Sequence, residues 1–163
     1  SHRCVLWGSL MKRQKHVHKK GNVRPKKEVV LSPKSQNTGF PIFRFDRIDK
    51  QGAFAFDTTR TDFKHKDFLD KMIAYSQMTW AEIARQTHDS GKSKHHYVKE
   101  IQRFSPAARE RLKSLKLEDF SDDLFSFALN NKLRIIGLRL DDHFHVLWYD
   151  SEHLVYPSVK KHT

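Results

Sequence analysis

Leu124-Phe-Ser-Phe-Ala-Leu129, Asn130-Asn131, Leu133-Arg-Ile-Ile-Gly-Leu-Arg-Leu140, Asp141-Asp142 and His143-Phe-His-Val-Leu-Trp-Tyr-Asp150 form the stretch that decides the fold. Three runs rich in β-branched and aromatic residues are separated by two pairs of turn residues, the pattern of an antiparallel meander. Asp141-Asp142, read as a two-residue turn, sets Leu140 opposite His143, Leu138 opposite His145 and Arg134 opposite Tyr149. One face then carries Leu133, Ile135, Gly137, Phe144, Val146 and Trp148, a surface fit for helices, with Arg139 beside the turn. The other carries Arg134, Ile136, Leu138, Leu140, His143, His145, Leu147 and Tyr149. A cation, two imidazoles and a phenol on one sheet face suit base stacking and phosphate contact. The same pattern also describes an amphipathic sheet with a half-exposed second face.

Upstream, Ile42 to Ile48 alternates apolar and polar residues, Asp49-Lys50-Gln51-Gly52 supplies a turn, and Ala53 to Asp57 continues as a β-rich run, which predicts a hairpin. Residues 62–78 carry Phe68, Leu69, Met72, Ile73 and Met78 at helical spacing. Thr79-Trp80-Ala81-Glu82 resembles a capping box that opens a second helical piece through about Gln86. Residues 87–99 are polar and basic with a glycine, and read as a loop. Ser105-Pro106 opens a third helix through Leu115. The fold class is α+β: an N-terminal β-hairpin, two to three helices and a C-terminal antiparallel meander, spanning residues 37–163 as one domain.

Ahead of that domain lies a basic arm, residues 1–36, with ten Lys/Arg against one acid, Glu28. The arm thus holds +9 of the formal +12, and the other 127 residues only +3. Such a block repels itself and is expected to stay flexible until it meets phosphates. Residues 1–10 resemble a cloning remnant, with the natural start at Met11. A field of this sign favours nucleic acid or an anionic surface as partner, although a basic tail also serves mere solubility. No apolar run approaches the roughly 20 residues that span a bilayer, and no secretory signal is visible, so the expectation is a cytoplasmic protein without membrane partners. Cys4 is the single cysteine, which excludes an internal disulfide. No Cys-x-x-Cys, His-Glu-x-x-His or Gly-x-x-x-x-Gly-Lys spacing occurs, so neither a metal nor a cofactor is called for.

Residues 124–156 resemble the C-terminal half of the RelE/ParE-like toxin superfamily, whose members run helices into a meander with an arginine-bearing strand and a short closing segment. Leu133-Arg134-Ile135-Ile136 matches the first of these strands, Val146-Leu147-Trp148-Tyr149 the second, and Asp150 to Tyr156 the closing segment. The extra arm and first hairpin depart from the family, as does the strand 124–129, which lacks an arginine. The resemblance implies a metal-independent endoribonuclease that cleaves mRNA, free or ribosome-bound, and that is restrained by an antitoxin protein. It implies a phosphate-binding role for Arg134 and a catalytic or stacking role for Tyr156, and sets His153 where members place a basic or imidazole group, from which it would exchange the proton.

Cleavage of RNA without metal needs a base for the 2′-hydroxyl proton and cations for the phosphorane charge. Imidazole suits the first task near neutral pH. His145 joins Arg134, His153 and Tyr156 as a catalytic candidate. The nucleic-acid-binding candidates are Lys12, Arg13, Lys15, Lys19, Lys20, Arg24, Lys26 and Lys27 in the arm, Lys92, Lys94, His95 and His96 in the loop, Tyr149 in the sheet, and Lys160 and Lys161 at the end. Two other readings fit the same composition. One is a noncatalytic DNA- or RNA-binding regulator or mobile-element accessory protein; the other is a module that docks an acidic protein. Deletion of residues 1–36 is expected to flatten the salt dependence of nucleic-acid affinity, because fewer counterions are released on binding. An unchanged slope in a salt titration of the truncated chain would refute that role for the arm.

Overall fold

The computed structural model describes residues 36–159. The arm cations Lys12 to Lys27, and Lys160 and Lys161, lie outside the described residues. Five strands form one mixed sheet in the order β1-β5-β4-β3-β2. They are β1 (Ile42–Arg44), β2 (His96–Tyr97), β3 (Leu124–Ala128), β4 (Arg134–Leu140) and β5 (His143–Asp150). β1 runs parallel to β5, and the other pairs are antiparallel. Three α-helices accompany the sheet among the described residues: α1 (His65–Ser76), α2 (Trp80–Arg85) and α3 (Pro106–Ser114). The α+β class and the β3-β4-β5 meander follow the sequence closely.

Local chemistry starts two of the helices where the sequence predicts. The Thr79 hydroxyl oxygen accepts the Glu82 amide at 3.2 Å, and that of Ser105 accepts the Ala108 amide at 3.3 Å ahead of Pro106. α1 buries Met72 and Tyr75 and leaves Leu69 and Ile73 exposed. Tyr75 is fixed by its hydroxyl, which donates to the Ala128 carbonyl at 2.7 Å. α1 and α2 cover one sheet face through Met72, Tyr75, Trp80 and Ile83, against Phe125, Phe127, Ile135, Phe144 and Val146. On the other face, α3 and the flanking turns bring Phe104, Ala108, Leu112 and Val155 against Leu124, Ile136, Leu138, Leu147 and Trp148.

The predicted N-terminal hairpin is not formed. Ile42-Phe43-Arg44 pairs with β5 instead, and residues 53–57 contribute a single bridge, Ala55 to Trp148. The cause is Asp49, which the sequence offers as a turn residue and the fold buries at 4% exposure. Its carboxylate accepts Arg111 Nε and Nη2 at 2.7 and 2.8 Å and Trp148 Nε1 at 2.9 Å. Its backbone closes the loop by accepting the Phe56 amide and donating to the Leu147 carbonyl. Desolvation raises the Asp49 pKa, but the bonds from Arg111, Trp148 and Gln51 outweigh it and hold the carboxylate below its usual range.

The meander register matches the prediction from Leu140↔His143 to Gly137↔Val146 and then slips, so that Ile136 faces Trp148, Ile135 faces Tyr149 and Arg134 faces Asp150. Leu147 is the extra residue of a β-bulge on β5. Gly137 is the signal, because a Cβ there would lie 2.2 Å from the His145 carbonyl oxygen and 2.7 Å from the Phe144 ring. Trp148 and Tyr149 therefore sit on the faces opposite to those predicted. Nor is any open face left: Tyr149 is fully buried, stacked on Phe63 at 4.3 Å, with its hydroxyl donating to the Asp62 carbonyl and accepting the Lys64 amide. Arg139 lies 3.9 Å over the Trp80 ring rather than simply reaching solvent.

His95 is a core residue. Its Nδ1 accepts the Ala128 amide at 3.1 Å, and its Nε2–H donates to Gln86 Oε1 at 2.7 Å. This holds the loop 86–94 against the end of β3. The bond from the Ala128 amide needs an unprotonated Nδ1 and so the neutral ring, and burial, with Lys94 and Arg134 nearby, pushes its pKa down to about 3.

Trp148→Ala and Tyr149→Ala are each expected to cost ~3–5 kcal/mol, since both rings are buried on opposite faces. Gly137→Ala is expected to cost ~1–3 kcal/mol by overpacking the bulge. Chemical denaturation that left any of the three at wild-type stability would contradict the bulged register. For His95, the unfolded chain takes up a proton below about pH 6.5 that the folded ring refuses down to about pH 3. Stability is therefore complete above pH 6.5 and falls progressively across that window. His95→Gln, which can accept from Ala128 and donate to Gln86, is expected to reduce the acid sensitivity of the melting temperature. Equal acid sensitivity in both proteins would refute the assignment.

Candidate functional site

A cleft of about 680 Å³ opens where the loop 86–96, the start of β4 and the segment after β5 meet. Six of the candidates from sequence line it: Lys92, Lys94, His96, Arg134, His153 and Tyr156. The sequence reading missed His88 and Arg103, which also line it, as do Ser90, Ser93 and Ser158. Among the described residues, no Asp or Glu lines it.

Each wall has a local cause. In the loop, Thr87 bridges to Ser93, the His88 amide donates to the Lys92 carbonyl at 2.8 Å, and Gly91 turns the chain at φ +84°. The chain bends at Lys94 and His95 before it enters β2 at His96. His95 goes into the core, while Lys94 and His96 line the cleft. Arg134 forms a buried part of the lining at 8% exposure, with Nη1 donating to the carbonyls of Asn131 and Leu133 at 2.8 and 3.1 Å. Behind β5, Asp150 accepts the amides of Leu154 and Val155 at 2.9 and 2.8 Å, which folds residues 151–156 into a turn. His153 occupies that turn at φ +58°, a left-handed conformation that costs a non-glycine residue roughly 1–2 kcal/mol. Tyr156 is held by the edge of Phe104 at 5.4 Å and by the Arg103 guanidinium 4.4 Å over its ring. Arg103 also makes a long contact with Glu100, at 3.5 Å.

The electrostatics reflect this crowding of cations. Burial first, then Arg134, His96 and His88, push the His153 imidazole down to about 4, against a backbone hydrogen bond at Tyr156. His88 is lowered by partial burial, Arg134, Lys94 and His96, with Asp89 opposing. Burial also lowers Arg134, which Asp150 and Tyr75 counteract; a guanidinium stays charged at neutral pH. The cleft thus combines fixed positive charge with imidazoles that are neutral at pH 7 in the case of His153. It can attract an anion and accept a proton.

Three candidates stand elsewhere. His145 lies toward the far end of β5, with Nδ1 2.8 Å from Asp46 Oδ1 and its ring stacked on His143. Tyr149 and His95 belong to the core, for the reasons given above. The predicted pairing of Arg134 with Tyr149 on one open face is therefore replaced by a pairing of Arg134 with Asp150. His88 had a weak sequence signal in its place within the basic loop; nothing local marked Arg103.

Among the described residues, no group of three or more His, Cys, Asp or Glu is placed to share a metal ion, and no helix is long and apolar enough to cross a membrane. No curated protein and no solved structure matches the chain. A family model does match, over residues 42–163, and so takes in β1 to β5, α1 to α3 and the described residues of the cleft. On that match, the chain belongs to the family described as Uncharacterised protein UU032.

Proposed function

We propose that the cleft binds the phosphodiester backbone of RNA and cleaves it without a metal, as an endoribonuclease of the toxin type that residues 124–156 resemble. The observation that carries this reading is the lining itself: Lys92, Lys94, Arg103 and Arg134 with three imidazoles and, among the described residues, no carboxylate. About 680 Å³ accommodates a ligand of a few nucleotide units at most. Element order lends further support, since a strand and helices lead into the meander as in the toxin superfamily.

In the proposed reaction Arg134 and the lysines hold the scissile phosphate and the charge of the phosphorane. His153, neutral in the free cleft, takes the proton of the 2′-hydroxyl. The 2′-oxygen bonds to phosphorus, the bond to the 5′-oxygen breaks, that oxygen takes a proton from water as it leaves, and His153 returns its proton to the hydroxide so formed. The products are a 2′,3′-cyclic phosphate and a 5′-hydroxyl. Tyr156 stacks on or orients a base. An RNA substrate, free or ribosome-bound, and a restraining antitoxin protein are the partners this reading requires.

One observation favours a noncatalytic binder instead. The histidine with a carboxylate partner, His145 with Asp46, lies outside the cleft, whereas the lining imidazoles face a wall without acids. Incubation of purified protein with RNA, with and without chelator and with and without ribosomes, separates the two. The expected result is chelator-resistant cleavage that Arg134→Ala and His153→Ala reduce by ~10²-fold or more, with folding and arm-mediated binding retained. The same substitutions are expected to relieve growth inhibition in a bacterium that lacks the partner. RNA left whole by the unaltered protein under all conditions would establish the binding protein in place of the nuclease. Cleavage undiminished in both variants would place the chemistry outside this cleft.

A further inference from the structure

We propose that the cleft binds phosphodiesters with uptake of protons, through His88 and His153 acting together with the fixed charge of Arg134, so that affinity rises as pH falls. This rests on the phosphate-binding part of the reading above but not on catalysis. His88, on the exposed loop, and His153, in the turn after β5, come from chain segments 65 residues apart and line one cleft with Arg134. A phosphodiester is an acceptor-only anion, so a neutral ring offers it one N–H at most, and a protonated ring offers two and a charge.

The surroundings settle the sign. Arg134, Lys94 and His96 face His88, and Asp89 is the acid that counters them. Arg134, His96 and His88 face His153, with a backbone hydrogen bond at Tyr156. Asp150, nearby, is turned to the amides of Leu154 and Val155. In the free protein these neighbours oppose protonation, and His153 is held at about 4. A bound phosphate neutralises part of the cationic field and raises both imidazole pKa values. Binding therefore takes up protons wherever pH lies between the free and bound values, and affinity gains about tenfold per pH unit for each proton taken up.

The test uses the full chain and a short oligothymidylate without terminal phosphates, which lacks the 2′-hydroxyl and cannot be cleaved by the proposed route. Its affinity is measured from pH 7.5 to 5.5 at fixed salt. Calorimetry in buffers of different ionisation heat counts the protons. The arm with its histidines is common to every variant, so the informative quantity is the difference between proteins. The unaltered chain is expected to take up more protons than H88Q, H153Q or the double variant, and to show the steeper pH dependence. Lys92→Gln is expected to weaken binding at every pH with the slope unchanged. Equal proton uptake in the unaltered chain and a folded double variant overturns the proposal, as does calorimetry that finds no uptake by the unaltered chain. If the double variant does not fold, the two single variants and the calorimetric count carry the test. Proton-linked binding without RNA cleavage would overturn the nuclease reading and leave this inference standing; cleavage with pH-independent binding would do the reverse.

Discussion

Two backbone amides, those of Leu154 and Val155, close on the carboxylate of Asp150, and the candidate site depends on that closure. Asp150 is 1% exposed at the end of β5 and faces Arg134 across the sheet. Burial raises its pKa, while the amides and Arg134 pull it down. A buried acceptor with two donors fixes the chain direction, because either amide left unsatisfied would cost ~1–3 kcal/mol. The return it enforces places Val155 in the core and puts His153 and Tyr156 in the cleft wall. It also holds His153 at positive φ, where glycine or asparagine would be less strained.

The sheet has apolar cover on both faces, and that directs where chemistry can lie. With α1 and α2 on one side and α3 on the other, the central strands offer little but strand ends and edges to solvent. Arg134 starts β4, His153 and Tyr156 follow β5, and His96 lies on the edge strand β2. The site gathers where three segments finish or begin, and no residue from the middle of the meander contributes to it.

Sequence made the meander and the capped helices legible because those rest on local signals: turn pairs, alternation, a hydroxyl three residues before its amide. It lost the first hairpin because alternation in residues 42–48 says that a strand is half buried, not which partner covers it. The partner was β5, and the competing demand was Asp49, whose ligands Arg111 and Trp148 lie 62 and 99 residues away. It lost the faces at Tyr149 through a one-residue bulge, although a glycine inside a strand is a known mark of one. In the site, Arg134, His153, Tyr156, Lys92, Lys94 and His96 were legible as residue types in plausible places. His95 was not separable from His96, since only burial decides which of two adjacent imidazoles faces inward.

That division of neighbours extends to the charges. Outside the arm the chain is only slightly basic, at +3 over 127 residues, so its total predicts no strong anion site. The fold sorts its charges. Asp49 holds Arg111, Asp62 holds Arg60, Asp70 holds Lys66, and Asp46 bonds to His145, all away from the cleft. Four cations line one cleft, of which Arg103 keeps a long contact with Glu100. A field of one sign inside a walled cleft acts on a ligand more strongly than the same charges spread over a surface. In the proposed function it is the placement of these four cations, and not the net charge of the folded part, that lets the cleft hold a phosphate.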